Sequence, residues 1–486
     1  MNTPVEMLNA WGGRFAAAWP QSARLGLHGK IAVVLLAAVL MGGTPLQSAT
    51  PATNAAPAKT PIPYVPTRHD AVRDLLWLAD VGTNDVVYDL GSGDGRVVIA
   101  AVRDFQARSA VGIEINPQLV AESRENAAQA GVADRVRFIQ GDLFANDFSQ
   151  ASVVVLYLGH EANLDLRAQL VRNLKPGARV VSHQFGMGEW TADKLLDVRT
   201  VYLGMYSEMY NEFDANPDVP DFASTGRGDS HDVLSEWIVP APVAGVWRGK
   251  VRLDSGEGEL QVTLHQRLSG VSGSFQFLGL TNFSGNVIRA DLWGEHLRYW
   301  WEATNGGFGG WFDGRVTNDL IRGGLWVSQP FKDTQELQWT GRRDKADFTG
   351  TWEWSGPSNS PVQLQIERRD GRLAATYVDK NRRPQAGGVN KPIPVTDVYD
   401  FGGGFYFTLL LGREGLQGSR RAGPEDGWLI GEAVAEDNSL RGAIAFYPYR
   451  KMVDNEGRKQ FLPQQAGEQT APGQGRHDWQ PKRVAP

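Results

Sequence analysis

A chain of 486 residues is too long for one ordinary core, so two or three domains are expected. Its formal net charge of -6 comes without a concentrated basic stripe, which removes the electrostatic source of nucleic-acid binding. Cysteine is absent, which excludes a disulfide framework, a thiolate metal site and a cysteine nucleophile; no metal site is expected.

At the N-terminus Arg24, His28 and Lys30 precede an apolar run from Ile31 to Met41, followed by a Pro/Ala/Thr-rich stretch to about Pro61. This is the architecture of an export signal, and the run is short for a spanning helix, which needs about 20 residues. Gln47-Ser-Ala49 is a poor cleavage site, so residues 1–61 read as a signal peptide or an uncleaved inner-membrane anchor with a linker. Either would place the rest of the chain on the periplasmic side; an unused segment would leave it in the cytoplasm.

Residues 62–241 read as one α/β doubly wound domain. Val86 to Leu90 is a short apolar strand that runs into Gly91, Ser92, Gly93, Asp94 and Gly95. Side-chain-free residues in such a turn let backbone N–H groups and a ligand approach closely. Arg96 to Val102 then starts a helix whose N-terminus faces the ligand. The dinucleotide fingerprint fails because its third glycine position holds Arg96, and the phosphate-loop signature fails because no Gly-Lys-Ser/Thr closes the turn. S-adenosylmethionine fits best. A second strand runs from Ala110 to Glu114, a third from Val136 to Gln140 before Gly141 and Asp142, and a fourth, almost wholly apolar, from Ser152 to Leu158. Asn163 is placed to cap a helix through Leu174, and Lys175-Pro-Gly177 turns into a fifth strand, Arg179 to Val181. The alternation of strand and helix predicts a parallel sheet.

Asp89-Leu-Gly-Ser-Gly-Asp-Gly95 resembles the first motif of class I S-adenosylmethionine-dependent methyltransferases. Pro63-Tyr-Val-Pro66, Asn116-Pro117, Ser182-His183-Gln-Phe-Gly-Met-Gly-Glu-Trp190 and Trp237-Ile-Val-Pro240 resemble one bacterial group, similar in turn to the mitochondrial lysine methyltransferases acting on the ATP synthase c-subunit. The likeness covers about Pro63 to Ala241. It implies a Rossmann-like methyltransferase domain, S-adenosylmethionine as cofactor, and a cofactor site of Asp89, Gly91, Ser92, Gly93, Gly95, Glu114, Ile115, Asn116, Asp142 and Leu143. In that site Glu114 would meet the ribose hydroxyls, and Asp142 the adenine amino group with Leu143 against the ring.

The Asn-Pro-Pro-Tyr type of motif that grips planar amides and base amines is absent; the sequence after the fourth strand is Leu156-Tyr-Leu-Gly-His-Glu161. An aliphatic amine acceptor needs a neutral lone pair in line with the methyl, so orientation and local deprotonation matter most. Tyr157, His160, Glu161 and His183 are the candidate catalytic residues. Glu208, Glu212, Asp214, Asp218, Asp221, Asp229 and Asp232 fall between candidate strands Thr200 to Tyr206 and Val233 to Val239. This acidic rim would attract a basic protein segment bearing a lysine.

After Ala241 tryptophans crowd a region of alternating residues and glycine turns, which reads as all-β, sandwich or barrel. Gly245-Val-Trp247 with Leu260, Val262 and Leu264, and Gly350-Thr-Trp352 with Val362, Leu364 and Ile366, look like one pattern used twice. Two β domains, 242–343 and 344–463, are expected, followed by a disordered polar tail, 464–486. The β region would dock a protein substrate or a membrane or envelope partner. A competing reading is an exported binding protein, its methyltransferase-like domain inactive and its aromatic β modules holding envelope glycan or protein.

Overall fold

The computed structural model describes residues 64–197, 232–279, 283–304, 306–328, 333–355, 361–379, 392–395, 397–411, 427–436, 439–448, 450–453, 459–462 and 476–484. The export-type segment, the candidate strand Thr200 to Tyr206 and the insertion acids up to Asp229 lie outside them. No helix of the described residues is long and apolar enough to cross a membrane.

The first layer is a seven-stranded sheet with strand order β3-β2-β1-β4-β5-β7-β6. Its elements are α1 (His69–Leu78), β1 (Val86–Leu90), α2 (Arg96–Arg103), β2 (Ser109–Glu114), α3 (Pro117–Gln129), β3 (Val136–Gln140), β4 (Val153–Leu156), α4 (His160–Asn173), β5 (Arg179–His183), β6 (Lys194–Asp197) and β7 (Val233–Ile238). β1 to β5 are parallel, as alternation with helices dictates, but β7 runs antiparallel to β5 and to β6. The expected all-parallel sheet is therefore mixed at this edge.

β4 is buried along its whole length and serves both faces: Val153 and Val155 join the core under α1, α2 and α3, while Val154 and Leu156 face the opposite side. On that opposite side the connections from β3 to β4 and from β5 to β6 contain no helix, so α4 covers the sheet with help from the β region. Tyr399, Phe401, Tyr406, Ile430 and Val434 enter the same core cluster as Leu90, Leu156, Trp190 and Trp237. The β region thus completes the hydrophobic core of the α/β layer.

Asn163 does not cap α4. The helix begins three residues earlier, after Gly159 at φ 100°, and Asn163 is fully buried inside it. Its amide donates to Ser182 Oγ (3.0 Å) and Phe185 O (2.9 Å), pinning the loop after β5. A good capping residue is here claimed by a tertiary contact.

The β region opens with a closed eight-stranded barrel: β8 (Gly245–Leu253), β9 (Gly256–Arg267), β10 (Gly270–Leu278), β11 (Ser284–Trp293), β12 (His296–Ala303), β13 (Gly309–Thr317), β14 (Leu320–Ser328) and β15 (Gln335–Arg343), with β15 returning to β8. Phe275, Phe277, Phe283, Tyr299, Trp301, Phe312 and Trp339 fill its interior. Of the barrel's tryptophans Trp247, Trp301 and Trp339 build core, as large aromatic side chains usually do, while Trp300, Trp311 and Trp326 are part-exposed.

β16 (Gly350–Ser355), β17 (Pro361–Arg369), β18 (Arg372–Asp379), β19 (Ile393–Val395), β20 (Asp397–Asp400), β21 (Gly404–Leu411), β22 (Gly427–Glu436), β23 (Ser439–Pro448), β24 (Arg450–Val453), β25 (Lys459–Leu462), β26 (Arg476–Trp479) and β27 (Lys482–Val484) follow. They form sheets β19-β18-β17-β16-β27 and β20-β21-β22-β23-β26, with β24 and β25 as a separate hairpin. The tail expected to be disordered instead supplies β26 and β27: its backbone pairs with β23 and β16, and Trp479 is 2 % exposed in the core. Trp479 and the ladder hydrogen bonds anchor a segment that is otherwise mostly polar.

Candidate active site

The parallel strands β1, β2, β4 and β5 end at one edge of the sheet, and the order reverses between β1 and β4. A crevice opens at such a reversal, outside the carboxyl ends of the strands. The glycine turn lies there. Gly91 and Gly93 hold φ of 87° and 53°, a region that side-chain-bearing residues rarely adopt. A Cβ on Gly91 would sit 2.7 Å from the Leu158 side chain, and one on Gly93 would sit 2.4 Å from the Tyr64 ring. The turn is therefore pinched between the loop after β4 and the segment that leads into α1. Arg96 fastens that segment by donating to Thr67 O at 2.7 Å while pairing with Asp94. Tyr64 belongs to the Pro63–Pro66 lead-in; nothing local in the sequence signals that its ring covers Gly93.

Glu114 is 8 % exposed and braces the turn. Its Oε2 accepts from Gly93 N at 3.0 Å and its Oε1 from Asn116 N at 2.8 Å. Each carboxylate oxygen keeps a second acceptor position, so the brace leaves capacity for a hydroxyl donor. Asn116 caps α3 by accepting from Gln118 N, with Pro117 in the first helical position, and Ile115 stands 69 % exposed beside them. Asp142 is exposed, with Oδ1 taking Phe144 N at 2.9 Å, and Leu143 packs against the core. Ser92 Oγ is buried and has no hydrogen-bond partner among the described residues. Asp89 is 6 % exposed; burial, reinforced by the negative charges of Asp94 and Glu114, pushes its carboxyl up to about 8. Such a group ionises readily only when a positive charge arrives beside it.

At the ends of β4 and β5 the Tyr157 and His183 rings pack at 4.2 Å with a 31° tilt, and Phe185 stacks 6.0 Å from Tyr157. Burial and the charge of Asp232 hold the Tyr157 phenol above its ordinary range. His183 Nε2 lies 3.1 Å from Asp232 Oδ1, and Gln184 Nε2 donates to the same oxygen at 3.0 Å. These hydrogen bonds, with that of His183 foremost, hold Asp232 below the usual carboxylate range. His183 Nδ1 is buried without a partner among the described residues. His160 and Glu161 are exposed at the start of α4 and do not join this stack. The sequence reads Asp232 as part of an acidic rim; in the structure it orients His183. Its position, one residue before β7 and opposite the end of β5, is the signal that could have found it.

The site thus combines a ligand cradle closed to side chains, an orphan hydroxyl, a buried acid suited to a cationic ligand, and a His–Asp pair beside a phenol. The family described as ANTKMT methyltransferase domain matches residues 89–194. The chain is 41 % identical over 153 residues to a protein-lysine N-methyltransferase of Saccharolobus islandicus, covering 30 % of this chain and 95 % of that protein. It is 37 % identical over 135 residues to the human lysine N-methyltransferase of the ATP synthase c-subunit, covering 28 % of this chain and 57 % of that one. Among solved structures, an RNA methyltransferase of Salinibacter ruber in complex with S-adenosyl-L-homocysteine is 43 % identical, covering 36 % of this chain and 94 % of that chain at a TM-score of 0.29.

Proposed function

The chain belongs to the S-adenosylmethionine-dependent methyltransferase family of the Saccharolobus protein-lysine enzyme, and on that footing we propose that it methylates the side-chain amine of a lysine in a protein. The observation that carries the reading is the 41 % identity over nearly the full length of that relative.

S-adenosylmethionine, when bound, supplies an electrophilic methyl on a sulfonium centre. The residues present fit it. Gly91, Ser92 and Gly93 would hold it through the turn, with Ser92 Oγ the unsatisfied polar group there. Glu114 fixes the turn's shape and offers its remaining acceptor positions to hydroxyls, while Asp142 and Leu143 flank the third strand's end. Asp89, ionised, balances the positive charge of the ligand. On the acceptor side Tyr157 and His183 form an aromatic wall that excludes water and orients an amine, and Asp232 holds the imidazole through Nε2. His183 Nδ1 is then the atom placed to take or hold a proton near the acceptor, which must be neutral to react. His160 and Glu161, exposed at the rim, guide the incoming segment and take no part in this proton arrangement.

The test is to incubate the full chain with methyl-labelled S-adenosylmethionine and, separately, a lysine-rich basic protein and a structured RNA, and to locate the label by mass spectrometry. Label on lysine Nζ, lost in Glu114→Ala, is expected. Label confined to RNA, or none in either acceptor, would overturn the reading.

A further inference from the structure

The chain leaves β5 through a strained turn. Phe185 N donates to His183 O at 2.9 Å across Gln184, whose φ is 67°. A three-residue turn closed in this way around a positive φ is the rare, strained form of the γ-turn. Glycine or asparagine would enter that region at less cost than glutamine. Backbone strain of this kind persists only where its surroundings over-determine it, and it collects at functional sites.

The turn is held from two sides. Gln184 N donates to Val233 O at 2.7 Å, tying the end of β5 to the start of β7. Gln184 Nε2 donates to Asp232 Oδ1 at 3.0 Å, the oxygen that also meets His183 Nε2. From the other side the fully buried Asn163 of α4 donates to Phe185 O at 2.9 Å and to Ser182 Oγ at 3.0 Å, so its amide spans the turn. The Phe185 carbonyl can only accept, which fixes the amide nitrogen toward it. Asn163 Oδ1 is then buried without a partner among the described residues. For the helix alone an apolar residue would serve better at such a position. What the amide adds is its hold on the turn. Beyond it the loop stays against α4: Arg167 donates to Met187 O at 3.1 Å, and a Cβ on Gly188 would sit 2.8 Å from the Leu164 side chain. The turn thus lays Phe185 against the Tyr157 ring, gives Asp232 its second donor and fixes the strand end that bears His183.

We propose that Asn163 is a positioning residue for methyl transfer, whose amide holds the Gln184 turn and through it the alignment of Phe185, Asp232 and His183 around the acceptor. This inference rests on the methyl-transfer reading. Since the cofactor cradle at the ends of β1 and β2 is built from other residues, loss of the amide should slow the reaction and leave cofactor affinity unchanged.

The test compares the full chain unaltered, as Asn163→Leu, as Gln184→Gly and as the double variant, with methyl-labelled S-adenosylmethionine and a lysine-rich basic protein. Leucine keeps the size of the asparagine side chain and removes both donors. Asn163→Leu is expected to lower kcat about tenfold with the Kd for S-adenosylmethionine unchanged. Gln184→Gly relieves the strain and removes the Asp232 donor, so its Tm should equal or exceed that of the unaltered chain while kcat falls about fivefold. A residue that only supports the fold would not couple equal or greater stability to a slower reaction, and this variant carries the test should Asn163→Leu fail to fold. In the double variant the two losses should not multiply, because both act through one turn. No label on lysine Nζ from the unaltered chain overturns the methyl-transfer reading and this inference with it. Full kcat in either single variant, a Kd for S-adenosylmethionine that weakens in step with kcat, or losses that multiply overturns the inference alone.

Discussion

At the scale of single residues the buried acid Asp89 sets stability against binding. Its carboxyl is raised to about 8, so the folded chain holds that proton more tightly than the unfolded chain does. The stability it contributes is present at low pH and is lost as pH rises from about 4 toward about 8. Asp89→Asn should therefore raise the melting temperature at alkaline pH and flatten its pH dependence, while weakening S-adenosylmethionine; thermal scans and titrations at several pH values check both. Cofactor binding to the unaltered chain near neutrality should also release a proton, seen as a binding heat that varies with buffer ionisation. His183 carries a second expectation. Removing its ring in His183→Asn should lower kcat by about 10²-fold or more and leave cofactor affinity unchanged, whereas a purely structural histidine would cost stability instead. The glycine turn and Glu114 are legible in the sequence because turn chemistry is local. The His183–Asp232 pair is not, because it joins residues 49 positions apart across the ends of β5 and β7.

At the scale of elements, α4 is held from both sides. Its Arg167, with a side chain 4 % exposed, donates to Asp397 at 2.6 Å, Tyr399 Oη at 3.0 Å and Met187 O at 3.1 Å. Beside it Glu189 accepts from Tyr406 Oη and Arg267, both at 2.5 Å. Removing one partner of such a buried pair leaves an uncompensated charge, so Arg167→Ala should cost roughly 3–5 kcal/mol. The double change Arg167→Met with Asp397→Leu should recover much of that loss, because it removes both charges. Denaturant unfolding of the two singles and the double measures the coupling. The sequence predicts a helix ending at Leu174 but misplaces its start at Asn163, a residue type suited to capping. The amide is instead spent on Ser182 and Phe185, contacts no local pattern reveals.

At the scale of the whole molecule, the β region is core for the α/β layer as well as appendage. Tyr399, Phe401, Tyr406 and Ile430 lie where the connections from β3 to β4 and β5 to β6 provide no helix. A chain truncated after Ala241 would expose that sheet face, including Leu156, Trp190 and Trp237. It is expected to bind a hydrophobic dye and to lose cooperative unfolding, with calorimetry and near-ultraviolet dichroism as the checks. Sequence patterns disclose the β strands and a break near Arg343, where β15 ends, since these follow from alternation and turns. They read the whole β region as a docking module, because the 230 positions between Arg167 and Asp397 hide their contact from any local window. Methyl transfer by this chain requires a working cofactor site. The most direct measurement is calorimetric titration of S-adenosylmethionine into the full chain and into Glu114→Ala. Binding by the unaltered chain, weakened in the variant by about 1.5–3 kcal/mol, is the predicted result. Absence of binding, or equal affinity in the two, would contradict it.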